Sequence, residues 1–172
     1  QRFQALVVAA MAAAEEERFL RIKHSEGRLP ENAVRFCLAE AGIGIRDVTM
    51  LAYGIATVPG MQQRLESYFQ AKFGHCPEVR LVRHYVAHAA SAYRVSGFDD
   101  AMILSADVSG DSVSTLLSHG RGAEIRIVKA IQRPNSLGLF YSILTQVLGF
   151  QRDNDEYKVM GLASYGKKEI DL

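Results

Sequence analysis

"DAMILSADVSGDSVSTLLSHGRGAEIRIVKAIQ", Asp100 to Gln132, contains three apolar, strand-forming runs broken by turn residues. "DAMILSAD", "DSVSTLLSH" and "AEIRIVKAIQ" meet at "VSG" and "GRG". Those connections are too short for a crossover, so the pattern predicts an antiparallel three-stranded meander. "NSLGLFYSILTQVLGF" follows, with Asn135 or Ser136 as N-cap and Leu139, Ile143, Leu144 and Val147 on one face of a helix.

Upstream, the grammar is different. "PENAVRFCLAEAGI" places Ala33, Phe36, Cys37 and Ala41 at helical spacing, opens with Pro30 and closes at Gly42, which predicts a helix over about 31–41. "VTMLAYG" reads as a short buried strand, "MQQRLESYFQAKFG" as an amphipathic helix ending at Gly74, "EVRLVRH" as a strand, and "HYVAHAASAYRVS" as a helix ending near Gly97. This βαβα order argues for an α/β domain containing a parallel pairing. With the meander and its helix, the expected class is α/β, a partial actin-like ATPase (ribonuclease-H-like) fold in which the turn between the first two meander strands approaches nucleotide phosphates.

Composition narrows the function. A chain of 172 residues that is 48% hydrophobic can bury a core, so residues 1–172 are expected to form a single domain or a large part of one. Lysine plus arginine (20) nearly equals aspartate plus glutamate (19), which gives no field to hold a bulk polyanion, and nucleic acid is not expected as a partner. Cys37 and Cys76 make no CxxC pair, so two free thiols and a cytoplasmic setting are expected. "ALVVAAMAAA" is too short to span a bilayer and runs straight into "EEERFLRIKH", so no membrane association is expected either. The start at Gln1 and the stop after "GKKEIDL" suggest a piece of a longer protein.

The chemistry-bearing residues cluster in a few places. His84 and His88 stand one helical turn apart, so both imidazoles leave the same face. By itself such a pair reads as capping or surface as readily as a metal site. Asp107 ends the apolar run "AMILSA" and so sits at the tip of a strand, where it either opens the turn or completes a two-imidazole, one-carboxylate set suited to iron, zinc or manganese. A protease reading fails, because Tyr85, Val86 and Ala87 supply no general-base glutamate between the histidines. In "DVSGD", Gly110 and Ser109 can cradle a phosphate, and Asp111 either holds magnesium or completes the turn. "DNDEYKVMGLASYGKK" reads as a substrate-facing or solvated loop, in which Lys158 is a candidate phosphate or carbamoyl contact and Glu156 its orienting partner or a ribose ligand. "EEERFLRIKH" gathers Arg18, Arg21, Lys23 and His24 at what reads as a strand-to-loop edge.

"AAAEEERFLRIKH", "HYVAHAASAYRVSGFDDA", "SLGLFYSILTQVLGF" and "DEYKVMGLASYG", in this order over roughly residues 5–167, resemble the amino-terminal part of the carbamoyltransferases of nodulation and antibiotic tailoring. The resemblance implies a domain like the universal threonylcarbamoyl-transfer protein, followed in the parent by the rest of that domain and a YrdC-like domain. It implies ATP-dependent O-carbamoyl transfer from carbamoyl phosphate, through carbamoyladenylate, to a hydroxyl of a small acceptor. By position it implies His84, His88 and Asp107 as metal ligands for iron or zinc, Lys23 and Asp107 as catalytic residues, and Gly110, Gly138, Glu156, Lys158 and Gly161 as nucleotide-side elements. Val108 replaces the glycine that follows the metal aspartate in the family, Arg83 replaces the first of a doubled histidine, and the family's His-Asp pair before the first strand lacks its histidine here. Two other readings stand beside this one: a nucleotide-binding module without catalysis, and a threonylcarbamoyl or hydrogenase-maturation carbamoyl transferase, with Ala87 departing from the HxxGH pattern of the threonylcarbamoyl enzymes.

Overall fold

The computed structural model describes residues 12–167. The apolar stretch "ALVV" near the start of the sequence lies outside the described residues. The described residues divide into two compact units, 12–53 with 60–80, and 54–59 with 81–167.

In the first unit a short helix α1 (Glu16–Leu20) and a 3-10 turn (Lys23–Gly27) precede α2 (Glu31–Ala41). "EERFL" is therefore helical, where a strand-to-loop edge was expected; Glu16 and Glu17 in its first turn suit the positive end of a helix. Glu16 is buried, and its carboxylate accepts from the Ala33 N–H (2.8 Å) and the Asn32 side-chain amide (2.6 Å). It thus satisfies a free donor at the start of α2 that Pro30, the N-cap, has no side chain to reach. Gly42 ends α2 in the left-handed region, as expected of a C-terminal glycine.

Strand β1 (Met50–Tyr53), helix α3 (Met61–Phe73) and β2 (Glu78–Leu81) form a β-α-β unit with the two strands side by side. β1 is not buried as its apolar sequence suggested. Its positions alternate between exposed and half-buried, with β2 its one partner among the described residues. On α3, Met61, Leu65 and Phe69 are buried at four-residue spacing. Cys37 and Cys76 are free thiols.

The second unit contains α4 (His84–Val95), the meander β3 (Asp100–Gly110), β4 (Val113–Arg121) and β5 (Glu124–Gln132), then α5 (Leu137–Val147) and α6 (Glu156–Ala163). The three strands pair antiparallel in sequence order, as expected. The central strand β4 buries alternate residues, Ser114, Leu116, Ser118 and Gly120, following the two-residue period of a sheet with one covered face. The edge strand β5 is largely exposed.

α4 and α5 both pack on β3. The α4 face that meets the sheet is Tyr85, Ala89 and Tyr93, spaced four residues apart, with Ala89 and Tyr93 joining Ile103 in the core. Tyr85 and Tyr93 reach β4 at its two ends. The Tyr85 hydroxyl donates to the Ser114 carbonyl (2.8 Å), while Gly120 leaves room for the Tyr93 ring, which a Cβ would meet at 2.7 Å. Burial, and then the charge of Asp107, push the Tyr85 phenol up to about 12, so it stays a donor.

Two turns depart from the sequence reading. β3 continues through "VSG" to Gly110, and the reversal falls on Asp111 and Ser112, at φ 50° and 68°. The sequence reading puts a turn at "VSG", but in the structure Asp107 to Ser109 stay within the strand and lose only its alternation of exposure. They do so through an irregularity: the step from Ala106 to Gly110 on β3 is matched only by Thr115 to Val113 on β4. The second departure is α6, where a loop was expected. Glu156 opens this helix, and its carboxylate accepts from the Asp153 N–H (2.7 Å) and the Ser142 hydroxyl of α5 (3.0 Å), so the charges that looked loop-like serve to start the helix.

Candidate metal centre

His84 and His88 lie one position around α4 from its buried face, which puts them at the rim of the helix–sheet contact, partly exposed. The β3 irregularity carries Asp107 to the same rim. His84 Nε2 lies 3.3 Å from Asp107 Oδ2 and 3.0 Å from His88 Nε2, with His88 Nε2 3.8 Å from the same oxygen. One ligand atom from each residue falls within 4.8 Å of the others, close enough to meet at a single ion.

The surroundings hold these donors in place. His84 Nδ1 is 3.1 Å from the Gly54 carbonyl, which can only accept, so that nitrogen carries the proton and Nε2 presents its lone pair to the cluster. Ser136, the N-cap of α5, accepts from the Leu139 N–H and shares its one hydroxyl proton between the carbonyls of Asp107 and Val108, each 2.9 Å away. The start of α5 is thereby tied to the irregular segment.

Two glycines expected on the nucleotide side lie in the walls of this cluster. A Cβ on Gly110 would fall 1.9 Å from the His84 ring, and one on Gly138 would fall 2.5 Å from the Val108 nitrogen and 2.6 Å from the Asp107 carbonyl carbon. Gly110 is inside strand β3, so its role here is close approach and not the positive φ of a turn. Val108, where the family has glycine, is accommodated; its N–H donates to Asp107 Oδ1 (2.6 Å).

The other expected site residues lie apart from this cluster in the sequence and differ from it in their partners. Lys23 is in the first unit, at the head of a turn whose next residues, His24, Ser25 and Glu26, occupy the left-handed region. Glu156, Lys158 and Gly161 all lie on α6. Lys158 pairs with Asp155 (2.9 Å), and the hydrogen bond to that carboxylate raises the lysine above its ordinary range. Burial pushes the Glu156 carboxyl upward, but the hydrogen bonds it accepts from backbone N–H groups and from Ser142 hold it below the usual value. Gly161 faces open space. Asp111, read as either a magnesium ligand or a turn residue, accepts hydrogen bonds on both oxygens from Ala56, Thr57 and His84. Sequence reasoning missed the Gly54 carbonyl and Thr57. Neither leaves a signal, since one acts through its backbone and the other is an ordinary loop threonine.

The sequence profile of the carbamoyltransferase N-terminus matches residues 61–172, which include α4, the meander, α5 and α6. The chain belongs to the carbamoyltransferase family. It is 36% identical to "Nodulation protein NolNO" of Sinorhizobium fredii over 91% of this chain and 26% of that protein. It is 42% identical to "Nodulation protein NolO" of Bradyrhizobium diazoefficiens over 49% of this chain and 15% of that one. An uncharacterized protein of Synechocystis is 32% identical over 94% of this chain and 32% of its own length. The chain thus spans about a quarter to a third of the relatives it matches most broadly. No helix among the described residues is long and apolar enough to cross a membrane.

Proposed function

We propose that this carbamoyltransferase-family chain supplies the metal-bearing part of an ATP-dependent O-carbamoyltransferase that carries a carbamoyl group from carbamoyl phosphate to a hydroxyl of a small acceptor. The observation that carries the reading is the convergence of His84 Nε2, His88 Nε2 and Asp107 Oδ2 at one rim, with the His84 lone pair directed there by the Gly54 carbonyl. Two imidazoles and a carboxylate suit iron or zinc. A mixed α/β unit in which a meander is followed by a helix also agrees with a ribonuclease-H-like half of an actin-like ATPase fold.

In this reading carbamoyl phosphate first loses inorganic phosphate to water, and an oxygen of the resulting carbamate then bonds to the α-phosphorus of magnesium-bound ATP, forming carbamoyladenylate as pyrophosphate leaves. The acceptor hydroxyl oxygen then bonds to the carbamoyl carbon, the mixed-anhydride C–O bond breaks, AMP leaves, and the hydroxyl proton passes to a base. His84, His88 and Asp107 would hold a divalent ion there, which would supply Lewis acidity toward the carbamoyl oxygen. The chain's own residues orient it: Gly54 sets the His84 ring, Ser136 anchors the backbone that bears Asp107, and Gly110 and Gly138 keep the walls close. Lys23 is proposed to contact the carbamoyl or phosphate group, and α6, with Glu156, Lys158 and Gly161, to lie on the nucleotide side.

The test is carbamoyl-phosphate-dependent exchange of labelled pyrophosphate into ATP by the whole protein, with His84→Ala and Asp107→Asn alongside. The expected result is exchange by the unmodified protein and loss of acceptor carbamoylation in both variants. Nucleotide binding without exchange by a folded, metal-loaded protein would replace this reading with a non-catalytic nucleotide-binding module.

A further inference from the structure

We propose that Asp111 is a positioning residue for the His84–His88–Asp107 cluster, holding both ends of the contact that fixes the His84 tautomer. The part of this proposal that concerns metal affinity rests on the functional reading above; the part that concerns the tautomer does not.

Asp111 and Ser112 form the β3–β4 reversal with both residues in the left-handed region, at φ 50° and 68°. A two-residue hairpin of this kind favours glycine at its second position, and serine there is a strained choice. The strained turn aims the Asp111 carboxylate at two targets. Oδ2 accepts from the backbone N–H of His84 (2.7 Å) and, at longer range, from Ala56 (3.4 Å). Oδ1 accepts from the N–H (3.1 Å) and the hydroxyl (2.6 Å) of Thr57. Burial pushes this carboxyl upward, but these hydrogen bonds outweigh it and hold the group below its ordinary range.

The first target is the start of α4. Its N-cap, Arg83, makes no side-chain cap, so the His84 N–H would be a free helix-end donor without Asp111. The second target is the loop 54–59, whose Gly54 carbonyl receives the His84 Nδ1 proton. A cap for α4 alone would need only the bond to His84. The bonds to Ala56 and Thr57 add something different, because they hold the carbonyl that orients the ring against the helix that carries it. Gly110, the residue before Asp111, provides the bare backbone on which that ring lies. Asp111 touches no donor atom of the cluster and acts through His84.

Long-range proton–nitrogen correlation spectra of the metal-free chain read the tautomer directly. His84 is expected as the Nδ1–H form in the unmodified chain and as a mixture in Asp111→Asn. Thr57→Val, which removes one bond to the loop and leaves the α4 cap intact, is expected to shift the ratio in the same direction by less. Cobalt(II) titration of the same proteins is expected to show affinity about 10–100-fold weaker in Asp111→Asn, the usual cost of losing an outer partner of a ligand. Retention of the Nδ1–H form in both variants would overturn the proposal. If Asp111→Asn does not fold, Thr57→Val decides, and an unchanged tautomer ratio in it overturns the proposal. If the unmodified chain binds no cobalt while its tautomer depends on Asp111, the metal reading fails and the positioning role stands.

Discussion

The rim of α4 and the start of α6 look alike in sequence, each with polar residues at helical spacing beside a glycine, yet they use those residues in opposite ways. On α6, Glu156 spends its carboxylate on Ser142 and the Asp153 N–H, and Lys158 pairs with Asp155. On α4 and β3, the supporting bonds go to the far sides of the groups: His84 Nδ1 to Gly54, the Asp107 carbonyl to Ser136, the Asp107 Oδ1 to Val108. Nε2 of both histidines and Oδ2 of Asp107 are left facing one another. A ligand set is recognised by where its lone pairs remain, not by how many polar residues gather.

The largest expected effect tests that contrast on the cluster itself. Asp107→Asn should weaken divalent-metal binding by more than about 100-fold, beyond what loss of an outer partner costs, as measured by titration; weakening of only a few-fold would make the carboxylate incidental. Next, the glycines separate the two regions by sign. Gly138→Ala pushes a methyl into the Asp107–Val108 backbone, which cannot swing aside as a side chain can, and should cost about 1–3 kcal/mol in chemical denaturation. Gly161→Ala, in open space on α6, should stabilise by about 0.5–1 kcal/mol, because alanine restricts the unfolded chain. Equal signs for the two would erase the distinction.

A smaller effect is expected at Tyr85, beside the cluster. Its folded phenol titrates at about 12 against an ordinary value of 10, so the protonated form is favoured by folding. That contribution is fully present below about pH 10 and is lost as pH rises toward 12. Tyr85→Phe should lower stability at neutral pH by about 1 kcal/mol through the lost bond to Ser114, and should flatten the decline between pH 10 and 12. Smallest of all, Lys158→Ala should leave the thermal midpoint nearly unchanged, since the lysine side chain is exposed and the buried Asp155 carboxylate keeps its hydrogen bonds from the Gln151 N–H and the Asn154 amide. A fall in nucleotide affinity of the whole protein in that variant would identify α6 as a binding element despite its internal pairing.

The meander was legible because its alternation and turn residues agree, and α2, α3 and α4 because glycines stand just past or near their ends. The last part of β3 was not, since the irregularity after Ala106 breaks the two-residue period that marks a strand. α6 was misread because charge and glycine are common to loops and to helix starts alike, and only the Ser142 hydroxyl, on another helix, shows which applies. At the cluster, the spacing of His84 and His88 put both rings on one face, and the end of an apolar run marked Asp107. The Gly54 carbonyl carries no residue signature, and the role of Asp111 depends on a loop far away in sequence.

The most direct measurement is the metal content of the purified chain after exhaustive dialysis against trace metal, beside a His84→Ala, His88→Ala variant shown to be folded. One iron or zinc ion per chain in the unmodified protein and none in the variant is the expected result. Equal content in the two, or none in either after loading, would contradict a metal centre at His84, His88 and Asp107.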